Sequence, residues 1–368
     1  MVNLIWNGKS NISKGLDNAN ELYHKKYETL NLTGKNLDCS YQFIEDNLSW
    51  RNKLFWGDNL SVLLYLLENL KSKINLIYID PPFFSGNNYQ IEIKQQENIF
   101  KDTIYSDYWE NDLDSYLQML YDRLILMKKL LSDEGLIFIH LDWHASHYVK
   151  ILLDEVFGQK NFVNDIIWYY YNKYSAGKMN LPRAHDNILV YAKSNNYTLN
   201  EIRIPRNKPI KQLKRKMVNG VLKNVKDEFG HVVYRIVDDK KLDDVWKIPC
   251  LQPASKEWTG FPTQKHHELI ETIIKLGSNE QDLIADFFCG SGTTILSAER
   301  LKRRWIGCDI SAYSIYISRK RLLKFRRMLK SKDKINIPFE IVTELTEEKN
   351  KLIESRFFQN DLKIRAIR

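Results

Sequence analysis

"DLIADFFCGSGTTILSAERLKRRWIGCDIS", residues 282–311, decides the fold. A short apolar run over 282–288 ends in a turn of small residues. A helical segment at about 293–301 follows, and a second apolar run, 304–311, carries an acid, Asp309, near its end. Strand, turn, helix, strand is the repeating unit of a parallel sheet, because parallel neighbours need a crossover, usually a helix, to join them. Gly290 and Gly292 let the backbone take positive φ and approach a ligand closely. The helix N-terminus beyond them offers free N–H groups to a carboxylate or phosphate. The turn has neither the G-x-G-x-x-G dinucleotide spacing nor the lysine of a P-loop, so by itself it is as readily an ordinary strand–turn–helix corner. Asp309, about 20 residues past the turn, stands where doubly wound folds place the acid that holds a ribose diol. Alone, it would more often cap the helix after Ser311. Together the turn and the acid point to a nucleoside-bearing cofactor.

The same alternation extends outward. "KLFWGDNLSVLLYLLENL", 53–70, reads as a strand, a turn at 57–59 and an amphipathic helix, and "INLIYID", 74–80, as a buried strand. Helices are predicted over 113–131, about 145–157 and 265–276, and strands over 135–141 and 186–193. The expected fold class is therefore α/β, a doubly wound, mostly parallel sheet. Four stretches stand outside the pattern. Residues 1–50 are polar and rich in Asn and Lys, an arm with one helix around 19–29. Residues 84–112, with Tyr89, Tyr105, Tyr108 and Trp109, read as a long loop after a strand end, where function concentrates. Residues 201–226 are heavily basic without a clear period, an inserted subdomain or loop region. The tail from about 330 is charged, with one strand at 339–343. The expected divisions are 1–53, 54–198, 199–256, 257–330 and 331–368.

Composition narrows the class of function. The chain has 368 residues, 43% of them apolar, enough for a sizeable core and against disorder. A net charge of +9 makes an acidic partner, nucleic acid first, the natural expectation. Cys39, Cys250, Cys289 and Cys308 lack the paired spacing of a zinc site. Free thiols in a reducing compartment, no signal peptide and no apolar run of spanning length make the expectation a soluble, cytoplasmic protein without a membrane partner.

"DPPF", 80–83, carries the chemistry. Asp80 ends a buried strand, the place doubly wound folds reserve for active residues. Pro81 and Pro82 have fixed φ and no N–H, so their rigid step presents carbonyls that only accept hydrogen bonds. Ionised Asp80 also only accepts, and Phe83 adds an aromatic face. Two acceptors beside a ring suit the exocyclic amino group of a flat base, although an acid before a Pro-Pro turn also occurs without function. His140, His144 and His147 suggest a metal cluster, but no acid or cysteine pattern completes it, and structural histidines with no metal are expected. Cys289 lies in the glycine turn without a histidine to activate it. The aromatic run 168–174 lines a cleft or fills core.

"DPPF", "FCGSGTT" and the segment 259–311 resemble the S-adenosylmethionine-dependent amino-methyltransferases of DNA. The catalytic motif precedes the cofactor motif, as in the permuted β group, which includes many adenine-N6 enzymes and the modification subunits of type III restriction systems. The likeness runs from about 54 to 325, interrupted by the basic region. It implies that Asp80, Pro81, Pro82 and Phe83 are catalytic. It also implies that Asp286, Phe288, Cys289, Gly290, Ser291, Gly292, Thr293 and Thr294 form the methionine-side cofactor loop, with Asp309 on the ribose. Thr263 and Lys265 would lie near the cofactor's amino-acid end and Asp58 near its adenine. Many relatives carry Pro in place of Phe287 and Asn in place of Phe84. If the chain were cut between Asp309 and Asp58, the two halves would continue one sheet, so one cofactor would touch residues from both ends.

The implied reaction is methylation of adenine N6 in duplex DNA after base flipping, the extruded ring stacking on Phe83. The basic region becomes the target-recognition insert, with Arg203, Arg206, Lys208, Lys211, Lys214, Arg215 and Lys216 as DNA contacts. The helical stretch 318–332 is a second candidate for backbone contacts. A homodimer and a cognate restriction endonuclease are left open as partners. Cytosine-N4 methylation, RNA adenosine methylation and a silent DNA-binding subunit are the competing readings. Ser rather than Asp commonly opens the tetrapeptide of the cytosine-N4 group.

Overall fold

The computed structural model describes residues 4–9, 27–30, 50–84, 86, 88–95, 98–106, 112–173, 181–329, 337–344, 346–354 and 363–367. The first half runs β1 (Tyr27–Leu30), β2 (Asn52–Trp56), α1 (Asn59–Leu70), β3 (Ile74–Ile79), β4 (Asn88–Gln95), β5 (Asn98–Ser106), α2 (Leu113–Leu130), β6 (Leu131–Leu141), α3 (Ser146–Leu153), β7 (Phe162–Tyr169) and β8 (His185–Ala192). A basic stretch holds β9 (Arg203–Leu213), β10 (Arg215–Val218), β11 (Val221–Asn224), β12 (Tyr234–Lys241) and β13 (Val245–Lys247). The rest is α4 (His267–Gly277), β14 (Leu283–Asp286), α5 (Thr293–Arg300), β15 (Arg304–Asp309), α6 (Ala312–Met328), β16 (Phe339–Glu344), α7 (Glu347–Glu354) and β17 (Lys363–Ile367).

Ten strands share one sheet in the order β1-β16-β2-β15-β14-β3-β6-β8-β7-β13. From β16 to β6 every neighbour is parallel. β8 runs antiparallel to β6 and β7. The late strands β14 and β15 lie between the early strands β2 and β3, so the two ends of the chain interleave. Asp309 pairs in register with Trp56, which places the join between Asp309 and Asp58 where the sequence expected it.

Both faces of the central strands are covered, which explains their near-continuous apolar runs. Successive residues go to opposite sides, as a period of two demands. Leu54 and Leu76 pack with α4 and α6, whereas Phe55 and Ile77 pack with α1, α2 and α3. The helices supply matching stripes. α4 buries Leu269, Ile270, Ile273 and Ile274, and α1 buries Val62, Leu63, Leu66 and Leu70. Leu66 is fully buried, and its truncation to Ala would cost about 2–5 kcal/mol. No described helix is long and apolar enough to cross a membrane.

Three local expectations are corrected. The stretch read as a loop after Phe84 contains a hairpin, β4 with β5, and β17 from the far end of the chain pairs with β4. Alternation along 88–95 was hidden by its polar residues, while Tyr108 and Trp109 lie outside the described residues. The helix expected around 19–29 is contradicted at its end, where β1 pairs with β16; residues 19–26 are outside the described residues. The basic stretch, read as an inserted subdomain or loop region, is built of strands, which rules out the loop. β9 pairs with β12 and β10 with β11, forming exposed ribbons that lack the buried face on which a hydrophobic period would be written. β13 returns to the main sheet beside β7.

Candidate active site

The parallel strands β2, β3, β14 and β15 all end at one edge, and a cleft of about 330 Å³ opens there. It is lined from both halves of the chain, by Asp58 after β2, Asp80 to Phe83 after β3, Asp286 at the end of β14 with Phe287 to Ser291 beyond it, Asp309 at the end of β15, and Phe261, Thr263 and Lys265 before α4. Thr293 and Thr294 add the start of α5. Every candidate cofactor or catalytic residue named from the sequence lines this cleft except Gly292, which forms the turn behind it.

Two glycines shape the turn. Gly290 has φ +48° and Gly292 φ +74°, and a Cβ on Gly292 would lie 2.5 Å from Ser318 Oγ and 3.1 Å from its Cα. Gly292 is also the N-cap of α5, without a side-chain cap, so the first turn of that helix offers its N–H groups toward the cleft. Asp309 braces the turn: Oδ2 accepts from the Gly290 N–H at 2.8 Å and Oδ1 from the Ser311 N–H at 3.0 Å. Asp58 caps α1 through the Ser61 N–H at 2.9 Å and pairs with Arg123 at 3.2 Å. The cleft thus combines an uncapped helix start, carboxylates at Asp309 and Asp58, and apolar walls at Phe261, Phe288 and Ile310. That set fits an elongated molecule with an anionic end, hydroxyls and a flat ring.

The catalytic corner is tightly charged. Asp80 Oδ2 bonds the Lys265 ammonium, and its Oδ1 lies 3.2 Å from His140 Nδ1. Oδ1 is buried without an aligned hydrogen bond, so the imidazole acts on it mainly by charge. Tyr116 donates to the Pro82 carbonyl at 2.9 Å, whereas among the described residues the Pro81 carbonyl has no donor. Phe83 faces the Lys265 ammonium at 5.3 Å and the His140 ring at 5.4 Å. Phe84 has φ +61°, a left-handed conformation that suits Asn better than Phe.

Burial pushes both innermost acids up, with different outcomes. It pushes Asp80 up, but Lys265 and His140 outweigh it and hold the carboxyl below its usual range. Asp286 is pushed by burial up to about 7, against hydrogen bonds from Thr294 at 2.5 Å and the Phe288 N–H at 2.9 Å.

His140, expected to be only structural, stands beside Asp80, and sequence reading missed it together with Asp186 and Tyr170. A titratable residue inside the apolar run "GLIFIHL" was the available signal. Another histidine group, Glu257, His266 and His267, has ligand atoms within 4.8 Å of one another. His266 Nδ1 accepts the Glu268 N–H at 3.3 Å as the cap of α4, which leaves its proton on Nε2, the atom turned to Glu257. His267 Nδ1 bonds Glu257 at 2.5 Å. Glu257 Oε1 is buried without a hydrogen-bond partner, 4.0 Å from His266 Nε2.

The candidate DNA residues lie away from the cleft, on β9, β10 and the link between them. Pairing jumps from Pro205 to Ile210 opposite Asp239 and Val237, so Arg206 and Lys208 bulge out of the ladder between two prolines that have no N–H to give. Arg203 is bound to Asp239 at 2.6 Å and Glu201 at 2.9 Å, and Arg206 donates to the Asp239 carbonyl. Lys208, Lys211, Lys214, Arg215 and Lys216 are exposed.

The profile of the N6/N4 family, described as DNA methylase, matches residues 74–320. The chain belongs to the DNA methylase family. It is 27% identical to the type II methyltransferase M.EcaI of Enterobacter cloacae, over 87% of this chain and 79% of that one. It is 25% identical to the StyLTI Mod subunit of a type III restriction-modification enzyme from Salmonella typhimurium, over 70% of this chain but 51% of that subunit. Among solved structures it is similar to an M1.HpyAVI–SAM complex, 19% identical, TM-score 0.49, covering 73% of this chain and 98% of the other.

Proposed function

We propose that the protein is a site-specific DNA methyltransferase that transfers the methyl group of S-adenosylmethionine to the N6 amino group of adenine in duplex DNA. The observation that carries this reading is Asp80-Pro81-Pro82-Phe83 opening into the same cleft as the uncapped glycine turn. One wall is suited to a cofactor, the other to an amino-bearing ring. S-adenosylmethionine would lie along the turn, with Asp309 on its ribose, Asp58 toward its adenine and the α5 N-terminus near its carboxylate. When bound it supplies an electrophilic methyl group.

The chain's own residues do the rest. A base inside the duplex must be extruded, at a cost of a few kcal/mol. Stacking on Phe83 returns about 1–3 kcal/mol of that. Adenine's amino nitrogen is a weak nucleophile because its lone pair is delocalised into the ring. Hydrogen bonds from the two amino hydrogens to Asp80 and the Pro81 carbonyl favour a pyramidal nitrogen with its lone pair free to attack. The amine competes with Lys265 for the lone pairs of Asp80. Asp at the head of the tetrapeptide supports adenine over cytosine N4.

The exposed lysines of β9 and β10 are assigned to the DNA backbone, where each neutralised phosphate steepens the salt dependence of binding. A cognate endonuclease fits the restriction-modification relatives as a partner.

The test is methyl transfer from radiolabelled S-adenosylmethionine to mixed-sequence duplex DNA, digested to nucleosides and identified by mass. N6-methyladenine is expected. N4-methylcytosine would overturn the base assignment, and label confined to RNA would overturn the substrate.

A further inference from the structure

His140 is the only histidine among the described residues with no exposed side-chain surface. It ends an apolar run on β6, next to the strand that delivers Asp80. A residue placed there for packing would be apolar. Instead its two nitrogens each face a carboxylate, one just after β3 and one on β8. Nδ1 lies 3.2 Å from Asp80 Oδ1, and Nε2 lies 3.2 Å from Asp186 Oδ2 on β8. Asp186 is in turn fixed by the Tyr170 hydroxyl at 3.1 Å. The ring is walled by Phe83 at 5.4 Å and Trp168 at 5.3 Å, so water is kept from the pair. Four strands contribute to this chain of contacts, which ends at the reacting carboxylate.

We infer that His140, anchored by Asp186, is a positioning residue whose imidazolium orients Asp80 and keeps it ionised as an acceptor for the target amine. The inference rests on the proposed transfer reaction for its purpose, but the charge arrangement itself does not. A carboxylate buried in this cleft needs compensation, because an uncompensated one takes up a proton. Lys265 supplies one cation, but on Oδ2 it stands where the amine must bond. The imidazolium supplies a second that touches only Oδ1 and can stay when the base enters. Asp186 balances the imidazolium, so the group of Asp80, Asp186, His140 and Lys265 closes at zero net charge.

The titratable groups facing His140 are Tyr78 and Asp80 from β3, Asp186 from β8, Tyr170 after β7, and Lys265 before α4. Burial lowers the proton affinity of His140, Asp80 raises it and Lys265 lowers it, and the net direction is upward. The imidazolium therefore persists above the ordinary histidine range. The Tyr78 hydroxyl, 3.3 Å from Nδ1, can turn its proton away when Nδ1 carries one.

Two readouts test this. In the protein without cofactor or DNA, the imidazole nitrogens are followed by NMR against pH, with His140 identified by its loss in His140→Gln. Its midpoint is expected above the ordinary value of about 6.5, and to fall in Asp80→Asn and in Asp186→Asn. A His140 that titrates at or below the ordinary value, or that ignores both substitutions, overturns the inference even if the protein methylates DNA. With radiolabelled S-adenosylmethionine and mixed-sequence duplex DNA, His140→Gln is expected to lower kcat about 10- to 100-fold, with cofactor affinity within about threefold, an order set by one or two pKa units. The acid limb of its kcat profile should move to higher pH, because Asp80 then protonates more easily. A reduced kcat with an unmoved limb overturns the positioning role. If His140→Gln does not fold, Asp186→Asn carries the same test, with a smaller shift of the limb in the same direction expected and no shift contradicting the proposal. If the NMR shifts are found but no DNA is methylated, the proposed reaction fails and the charge arrangement stands.

Discussion

Asp80, largely buried, and Asp286, fully buried, stand at the ends of adjacent parallel strands, β3 and β14, on the same cleft. They have opposite fates. Asp80 has Lys265 on one oxygen and His140 beside the other and stays ionised. Asp286 has a hydroxyl and a backbone N–H, both neutral, and its carboxyl rises to about 7. Hydrogen bonds from dipoles satisfy the geometry of a buried carboxylate but do not balance its charge, whereas a cation does both. One strand end therefore holds an ionised carboxylate, and its neighbour a carboxyl that an added cation would ionise.

The largest break in this comparison is Lys265→Met, which leaves Asp80 with the His140 imidazolium as its one cation and moves its carboxyl toward the behaviour of Asp286. Breaking a buried pair by removing one partner costs about 3–5 kcal/mol. The sign of the pH dependence should change as well. With Lys265, Asp80 has a depressed pKa in the folded state and contributes stability above its unfolded value, lost as pH falls through the folded pKa. Without Lys265 its pKa rises, so the contribution becomes a loss as pH climbs above the unfolded value of about 3.9. Urea unfolding at pH 4, 5.5 and 7 is expected to show a deficit relative to wild type that grows with pH. A constant deficit would contradict the cation's role.

The second break is Asp286→Asn. Asp286 has its pKa raised by folding, so the native state loses stability between about pH 4 and 7, as the unfolded chain ionises first. The asparagine variant should be spared that loss, a relative gain of up to about 4 kcal/mol at pH 8 over pH 4. An unchanged difference across that range would show that Asp286 ionises normally.

A smaller effect sharpens the contrast in binding. S-adenosylmethionine is cationic at its sulfur and favours ionised Asp286, so its affinity should rise about tenfold from pH 6 to pH 8. Calorimetry on wild type and Asp286→Asn would check this, because the variant should bind with little pH dependence. Equal dependence in both would assign it elsewhere.

The sequence carried the sheet because its central strands are buried on both faces and therefore read as unbroken apolar runs. "INLIYID" and "DLIADFF" needed no partner to be recognised. Sites written locally were equally legible, the glycine turn and "DPPF" each holding their chemistry within a few residues. What escaped lies between strands. His140 meets Asp80 and Asp186 only because β6 sits between β3 and β8, and no spacing along the chain encodes that. The basic ribbons escaped for another reason: both faces of β9 are largely exposed, so no apolar period marks its strand.

The most direct test of the account is Asp80→Ala, with methyl transfer to duplex DNA and S-adenosylmethionine binding measured on the same preparation. Asp80 is assigned to the amine and not to the cofactor. Transfer should fall at least about 1,000-fold, the upper range for removing a group that acts on the reacting centre, while cofactor affinity stays within about threefold. Transfer near the wild-type rate, with cofactor still bound, would contradict it.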